Sequence, residues 1–242
     1  MLPSLNKTAV LTALQKGEIN LQGQFILGSN YTFLAQLTYE TETYPVVYKP
    51  RRGEKPLWDF PQNTLGKREV AAFLVSEALG WELVPPIVYR KKGPFGPGSL
   101  QLYIDHDPEY HFFNFSETDR QRLRSAALFD LVVNNADRKG GHILVGKDGH
   151  LWLIDHGICF NKENKLRTVI WDFIGEPLPP DLLVGLQGMV ETLKTKGELY
   201  FSLRSMLKVG EITALIYRTQ ELTEGAIFPP PTTRYPIPYP PI

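Results

Sequence analysis

The residues with the most chemistry in them lie between Asn135 and Phe160, in the stretch NADRKGGHILVGKDGHLWLIDHGICF. Two short apolar runs, His142 to Val145 and Leu151 to Ile154, flank Asp148-Gly149, the strongest two-residue hairpin signal, because both residues tolerate the positive φ of a type I′ turn. With Asp148 and Gly149 as the loop, Lys147 faces His150, Leu144 faces Leu153 and His142 faces Asp155. Directly opposed residues share a face of the ladder with Cβ atoms about 5 Å apart. An imidazole and a carboxylate then emerge side by side at the open end of the hairpin. Asp137 lies just ahead of the first strand, in a loop loosened by Gly140 and Gly141. The grouping reads as a functional site rather than as an ordinary hairpin with a structural histidine.

Several elements must hold this site in place. Residues 7 to 17 read as a short helix, with Val10, Leu11 and Leu14 on one side. Period-two strand signals follow at Ile19 to Leu27, Tyr31 to Tyr39 and Tyr44 to Tyr48, joined by Gly28-Ser29-Asn30 and Thr41-Glu42-Thr43. Leu65 to Leu79 is the clearest helix, with Val70, Phe73, Leu74 and Ala78 at three- and four-residue spacing and Gly80 as its stop. Further strands are expected at Ile87 to Tyr89 and Leu100 to Ile104, and Asp105 to Asn114 reads as a connector. Ser116, with Asp119 three residues on, caps a helix that carries Leu123, Ala127, Leu128, Leu131 and Val132 inward and delivers the chain to Asp137. Three helices are expected at 181–194, 197–207 and 209–224. The tail from Phe228 has seven prolines in fifteen residues, so neither a helix nor a ladder can persist there.

Composition narrows the function classes. The 242 residues suit one large domain or two lobes sharing a cleft. Lys plus Arg and Asp plus Glu number 26 each, so the net charge is zero and bulk polyanion binding, nucleic acid included, is not implied. A single cysteine, Cys159, excludes an intrachain disulfide and fits a reducing compartment; its apolar neighbours make it a core residue. The N-terminus has no apolar stretch long enough for a signal peptide. No segment approaches the roughly 20 apolar residues of a transmembrane helix. These features lead to the expectation of a cytoplasmic protein.

Asp137, Lys139 and His142 stand at positions 0, +2 and +5, and Asp155-His156-Gly157 follows the hairpin. This resembles the catalytic loop of the kinase superfamily, Asp-x-Lys-x-x-Asn followed by a hairpin ending in Asp-Phe-Gly. The chain departs from that pattern at His142, where the family has Asn, and at His156, where protein kinases have Phe. Val47-Tyr48-Lys49-Pro50, Arg68 to Phe73, Leu79-Gly80, Val84-Pro85 and Asn135-Ala136-Asp137-Arg138 are similar to the phosphatidylinositol 3-/4-kinase-like group, type II phosphatidylinositol 4-kinases and uncharacterised bacterial relatives in particular. The likeness covers about residues 20 to 175.

The resemblance implies an α+β, two-lobed protein kinase-like fold with an antiparallel-sheet N-lobe and a mainly helical C-lobe. The implied division is a helical segment at 1–18, an N-lobe at 19–106, a C-lobe at 107–227 and the tail at 228–242. It implies transfer of the ATP γ-phosphate, assisted by Mg or Mn, to a hydroxyl on a lipid, protein or small molecule. Asp137 and Lys139 would be catalytic, and His142 and Asp155 would hold metal, the imidazole suiting Mn²⁺ or Zn²⁺ better than Mg²⁺. Lys49 would bind phosphates and be held by Glu69, or by Glu77 two turns further along. Gly28, Ser29 and Asn30 would cover the phosphates, and Leu102 to Asp105, with Leu102 and Ile104 as the contacts, would meet adenine through the backbone. Arg138 would position the loop through carboxylate contacts, and residues 168–173 would shape the acceptor site. The alternatives on the same parts are a nucleotide-binding pseudokinase, as His142 suggests, and an adenylyltransferase. A phosphohydrolase is disfavoured, since His106, His111, His150 and His156 form no His-x-His or His-Glu-x-x-His group.

Overall fold

The structure is a computed structural model that describes residues 6–25 and 30–242. Its first half is built on a five-stranded antiparallel sheet of order β1-β2-β3-β5-β4. The strands are β1 (Glu18–Gln24), β2 (Phe33–Tyr39), β3 (Glu42–Pro50), β4 (Ile87–Arg90) and β5 (Gly98–Leu102). Inward residues alternate along β2 and β3, and Ala35, Leu37, Val46 and Tyr48 join Leu100 in one apolar layer. Helix α1 (Lys7–Lys16) is part of this unit, because Val10, Ala13 and Leu14 are buried in the same cluster. The strands lie close to the expected ones. β5 starts and ends two residues earlier, so Ile104 lies beyond the strand, and Leu27 falls outside the described residues.

Helix α2 (Leu65–Leu79) has the bounds its periodicity predicts, and Gly80 closes it in the left-handed region at φ 70°. It is not a one-sided helix. Eleven of its fifteen residues are buried, because the sheet covers one face and helices α5 (Pro180–Lys194) and α6 (Glu198–Arg204) cover the other. Its apolar side chains belong to the large core shared with the helical half. Arg68 is fully buried: it donates to the Cys159 carbonyl at 2.6 Å and pairs with Glu211 of α7 (Val209–Gly225). A charged group is tolerated inside only with such partners. The tie also fixes α2 against the helices below it.

The expected helix after Ser116 is interrupted. Ser116 Oγ accepts the Asp119 N–H at 3.2 Å as a cap should, but the chain forms α3 (Glu117–Gln121) and then α4 (Arg124–Val133), with a break at Arg122-Leu123. Leu131 is only half-buried, while Asp130 beside it is completely buried. After α4 comes the hairpin of β6 (Ile143–Val145) and β7 (Leu151–Leu153).

The hairpin register differs from the expected one by a residue. Ile143 opposes Leu153, Leu144 opposes Trp152 and Val145 opposes Leu151. The loop has three residues, Lys147 to Gly149, because the Asp148 carboxylate accepts the His150 N–H at 3.0 Å and Gly149 takes φ 78°. That is the three-residue hairpin with a left-handed third position, not the two-residue type I′ turn. His142 and Asp155 are therefore not a cross-strand pair.

Residues 228–242 form no helix or strand, as their prolines require. They nevertheless have a fixed course. Phe228 exchanges backbone hydrogen bonds with the segment around Gly175 and Glu176, and the chain then runs along residues 164–171 to end beside Gly140.

Candidate active site

A cavity of about 300 Å³ separates the sheet from the helical half. Val47, Leu102, Tyr103, Leu144 and Ile154 line its apolar end, while Lys49, Glu69, Asp137 and Asp155 line its polar end. The pattern of apolar walls with a few convergent polar groups is that of a small-molecule site.

Lys49 stands near the end of β3, opposite Ser99 of β5. Its Nζ donates to Glu69 Oε1 at 2.5 Å and to Asp155 Oδ1 at 3.0 Å. The Ser99 hydroxyl donates to the other Glu69 oxygen at 2.7 Å. Burial pulls the Lys49 ammonium toward neutrality, but Asp155 and Glu69 outweigh it and raise its pKa. Lys49 therefore remains a cation at every physiological pH. Glu77 is not its partner, because that carboxylate pairs with Lys7 of α1 at 2.8 Å. Four carboxylates reach the cavity (Glu54, Glu69, Asp137 and Asp155) against Lys49 alone.

The loop that carries Asp137 is held by a buried polar cluster. Asp130 and Arg138 are completely buried and paired, with Arg138 Nε at 3.1 Å from each Asp130 oxygen. Asp130 also accepts from Asn135 Nδ2 at 3.0 Å and from the Thr168 hydroxyl at 2.9 Å. Arg138 reaches the Ile154 carbonyl at 2.7 Å and His156 Nε2 at 2.7 Å. One guanidinium thus joins α4, the Asp137 loop and the residue after Asp155, a carboxylate contact of the kind the resemblance implied for Arg138. Burial and the Arg138 charge hold His156 well below its ordinary pKa. It is a neutral acceptor for Arg138 and packs edge-on against Phe129.

Asp155 turns back with φ 62°, left-handed for a non-glycine residue, which aims its carboxylate at the cavity. His142 Nε2 lies 3.4 Å from Asp155 Oδ2, while its Nδ1 sits 3.1 Å from the Asp137 carbonyl. Burial lowers the His142 pKa to about 4, against the pull of Asp155. The Lys139 N–H also points at Nδ1, at 3.4 Å, so two tautomers fit: Nδ1–H donates to the Asp137 carbonyl and the Nε2 lone pair faces a carboxylate oxygen, two acceptors with no hydrogen between them, or Nδ1 accepts from Lys139 and Nε2–H donates to Asp155. Lys49 and His142 together hold Asp155 well below the carboxylate range, against its burial. Asp137 moves the other way: burial, with Asp155 nearby, pushes its carboxyl up to about 6 despite Lys139.

The expected site residues divide accordingly. Asn30, Lys49, Glu69, Leu102, Ile104, Asp137 and Asp155 line one cavity. His142 touches Asp155 from its edge, and Lys139 Nζ stands 3.9 Å from Asp137. Gly28 and Ser29 lie outside the described residues. Glu54 and Asp130 escaped the sequence reading. Glu54 accepts the first amides of α2, Leu65 N–H at 3.2 Å and Gly66 N–H at 3.1 Å; nothing in its spacing marks it. Asp130 did leave a signal, a carboxylate in the apolar run Leu128-Phe129-Asp130-Leu131-Val132.

A Lys–Glu pair between strand and helix, facing a loop carboxylate and a post-hairpin carboxylate across one cleft, defines a kinase-like phosphotransferase. The chain belongs to the phosphatidylinositol 3- and 4-kinase family, whose model matches residues 64–208. Protein Rv2133c of Mycobacterium tuberculosis is 39% identical over 94% of this chain and 93% of its own length. Phosphatidylinositol 4-kinase gamma 4 of Oryza sativa is 31% identical over 47% of this chain, which corresponds to 24% of the rice protein. Among solved structures, the Golgi casein kinase with Mn/ADP bound superimposes with a TM-score of 0.60 over 92% of this chain and 75% of that one, at 16% identity. That likeness shows a shared fold. Among the described residues no helix is long and apolar enough to cross a membrane.

Proposed function

We propose that the chain binds ATP in this cavity and transfers its γ-phosphate to an acceptor hydroxyl with Mg²⁺ or Mn²⁺ bound at His142 and Asp155. The observation that carries the reading is the convergence of His142 Nε2 and Asp155 Oδ2 at 3.4 Å beside the Lys49–Glu69 pair. The polar end of the cleft has more carboxylates than cations, so a polyphosphate cannot enter it favourably without a divalent ion. No group of three or more His, Cys, Asp or Glu ligands occurs among the described residues. That donor set suits an ion that keeps waters and takes its remaining ligands from phosphate oxygens. When bound, the ion supplies positive charge against the phosphates.

The protein's own groups have distinct tasks in this reading. Lys49, fixed by Glu69, places its ammonium over the phosphates. Val47, Leu144 and Ile154 enclose the base, and the Ile104 backbone meets its edge, since the Leu102 and Tyr103 N–H groups already bind the Pro86 and Pro45 carbonyls at 2.9 Å. Asp137, with a pKa of about 6, is ionised at neutral pH and still basic enough to take the acceptor proton. Lys139 at 3.9 Å offsets charge developing there. The relatives include a named lipid kinase and the fold neighbours a named casein kinase, so the acceptor's class rests on features of this chain.

The test is calorimetric titration of ATP with Mg²⁺, Mn²⁺ or no metal, followed by incubation with ATP labelled at the α- or the γ-phosphate. Metal-dependent binding with γ-label transferred supports the reading. Transfer of α-label would make the protein an adenylyltransferase. Binding without transfer from either label would make it a pseudokinase, the outcome that a histidine at position 142 favours.

A further inference from the structure

The proline-rich tail runs against the loop that carries Asp137 and lines no part of the nucleotide cavity. Three backbones lie abreast there. Arg138 N–H donates to the Arg167 carbonyl at 3.0 Å, Val169 N–H donates to the Arg138 carbonyl at 3.2 Å, and Thr168 N–H donates to the Pro236 carbonyl at 2.9 Å. The Trp171 indole donates to the same Pro236 carbonyl at 3.3 Å. The Gly140 N–H, three residues past Asp137, donates to the Pro241 carbonyl at 2.7 Å. Upstream, Asn164 Nδ2 binds the Thr232 hydroxyl at 2.7 Å. No tail residue lines the nucleotide cavity.

The chemistry of these contacts is one-sided. From Pro236 onward the body supplies the donors and the tail supplies carbonyls, as a segment with four prolines in its last seven residues must. The side chains of Tyr235 and Tyr239 are 67% and 94% exposed, whereas Pro238 is buried. The seat therefore reads an extended backbone and a proline ring, with little call on other side chains. Proline-rich segments are recognised in general as preformed extended helices on aromatic-lined surfaces, and here an indole, Trp171, donates to a proline carbonyl.

We propose that the face formed by Gly140, Thr168 and Trp171 is a binding track for an extended, proline-rich polypeptide, which residues 232–241 occupy in cis and which a polypeptide acceptor must take over to reach Asp137. The acceptor part of this statement rests on the transfer reading above; the track does not. The tail's contact at Gly140 lies three residues from Asp137 along the loop, and Asp137 itself lines the cavity. A partner in trans then competes with a tethered occupant, and its apparent affinity falls by the fraction of molecules whose track is free.

Two full-length variants test this. Pro238→Glu places a charge in the buried ring's seat and lifts the tail; Trp171→Phe keeps the aromatic packing and removes the indole donor. The first readout is amide hydrogen exchange at Gly140 and Thr168, expected to quicken at least about tenfold in Pro238→Glu. The second is fluorescence anisotropy of a labelled peptide spanning residues 231–242. It should bind Pro238→Glu about tenfold or more tighter than the unaltered protein, because the cis competitor is gone. The double variant with Trp171→Phe should lose much of that gain. Equal peptide binding by the unaltered protein and Pro238→Glu, binding by neither, or unchanged exchange overturns the proposal. If Pro238→Glu does not unfold cooperatively, Trp171→Phe alone decides through the exchange rates at Thr168. Faster transfer in Pro238→Glu to phosphatidylinositol vesicles, with none to the peptide, would reject a polypeptide acceptor. Neither binding readout needs ATP, so an inert protein that shows both results fails the transfer reading and keeps the track.

Discussion

Asp155→Asn separates a metal ligand from a structural acid because its effects on binding should have opposite signs with and without metal. In the free protein Asp155 is held by Lys49 at 3.0 Å, and 48% of its side chain is exposed. A half-exposed ion pair contributes at most about 1 kcal/mol, and Lys49 keeps Glu69 when Asp155 is neutralised. The variant should therefore lose no more than that in urea unfolding at pH 7. Because the folded-state pKa of Asp155 is depressed, its contribution is present above the unfolded value near 4 and fades as pH falls below it. The two proteins should then converge in acid. For nucleotide, the metal loses one of two protein donors. Outer-shell substitutions already cost up to about 100-fold in metal affinity, so Mn-dependent ADP binding should weaken by about 100-fold or more, roughly 2.7 kcal/mol. Without metal the sign reverses. One carboxylate leaves a cleft rich in them, Lys49 is released toward the phosphates, and ADP should bind several-fold tighter, since a unit charge at about 5 Å is worth on the order of 1 kcal/mol once solvent screening is included. Calorimetry of ADP into both proteins, with Mn²⁺ and with chelator, measures all of this. An equal loss in both buffers, or no loss with Mn²⁺, refutes the metal assignment.

Lys49→Met should abolish measurable nucleotide binding and cost about 3 kcal/mol in urea unfolding, because Glu69, with 6% of its side chain exposed, keeps only Ser99. Adding Glu69→Gln should recover part of that loss, and strict additivity of the two changes would reject the coupling. The transfer rate should rise with pH along an acid limb near 6 and then level off, as the ionised Asp137 carboxylate is the active form. Asp137→Asn should remove transfer and leave the nucleotide Kd within about twofold, both read by a γ-label assay and calorimetry. His142→Asn replaces a neutral imidazole by an amide oxygen and should move the Mn²⁺/Mg²⁺ affinity ratio toward Mg²⁺ in the same titrations. Arg138→Leu strands the completely buried Asp130 carboxylate and should cost about 3–5 kcal/mol, seen as a large fall in melting temperature or in soluble yield.

The parts of the site written in side chains were legible. Alternation and the three- and four-residue spacing marked the strand that ends at Lys49 and the helix that carries Glu69, the resemblance to kinases paired them, and they meet at 2.5 Å. The hairpin was legible as a hairpin but not in register, since the choice between a two- and a three-residue loop rests on the Asp148 carboxylate capping His150, an energy difference that composition does not display. A slip of one residue flips every side chain in a ladder, yet His142 and Asp155 still meet. Neither belongs to the ladder: His142 ends a short 3-10 turn, and Asp155 leaves β7 through its positive φ. Their approach follows from the backbone on either side of the hairpin and from the Arg138 contacts to the His142 and Ile154 carbonyls, not from the pairing that suggested it.

The tail shows the complementary limit. Its prolines correctly exclude helix and ladder, and the same property hides its position, because a segment that offers mainly carbonyls leaves no pattern of side chains to match. The donors that seat it are the amides of Gly140 and Thr168 and one indole. Of these only Trp171 is visible as a residue type. The buried cluster is intermediate. Asp130 interrupts an apolar helix face and Arg138 follows Asp137, so each is noticeable alone. That they are partners depends on α4 ending at Asn134 in the left-handed region, which turns the loop back under the helix and closes the 3.1 Å contacts. Asp137 is thus held by a residue seven positions earlier that never reaches the cleft. A search confined to cleft-lining residues would miss it, and an Asp130→Asn protein with intact nucleotide binding and a disordered Asp137 loop is what that arrangement requires.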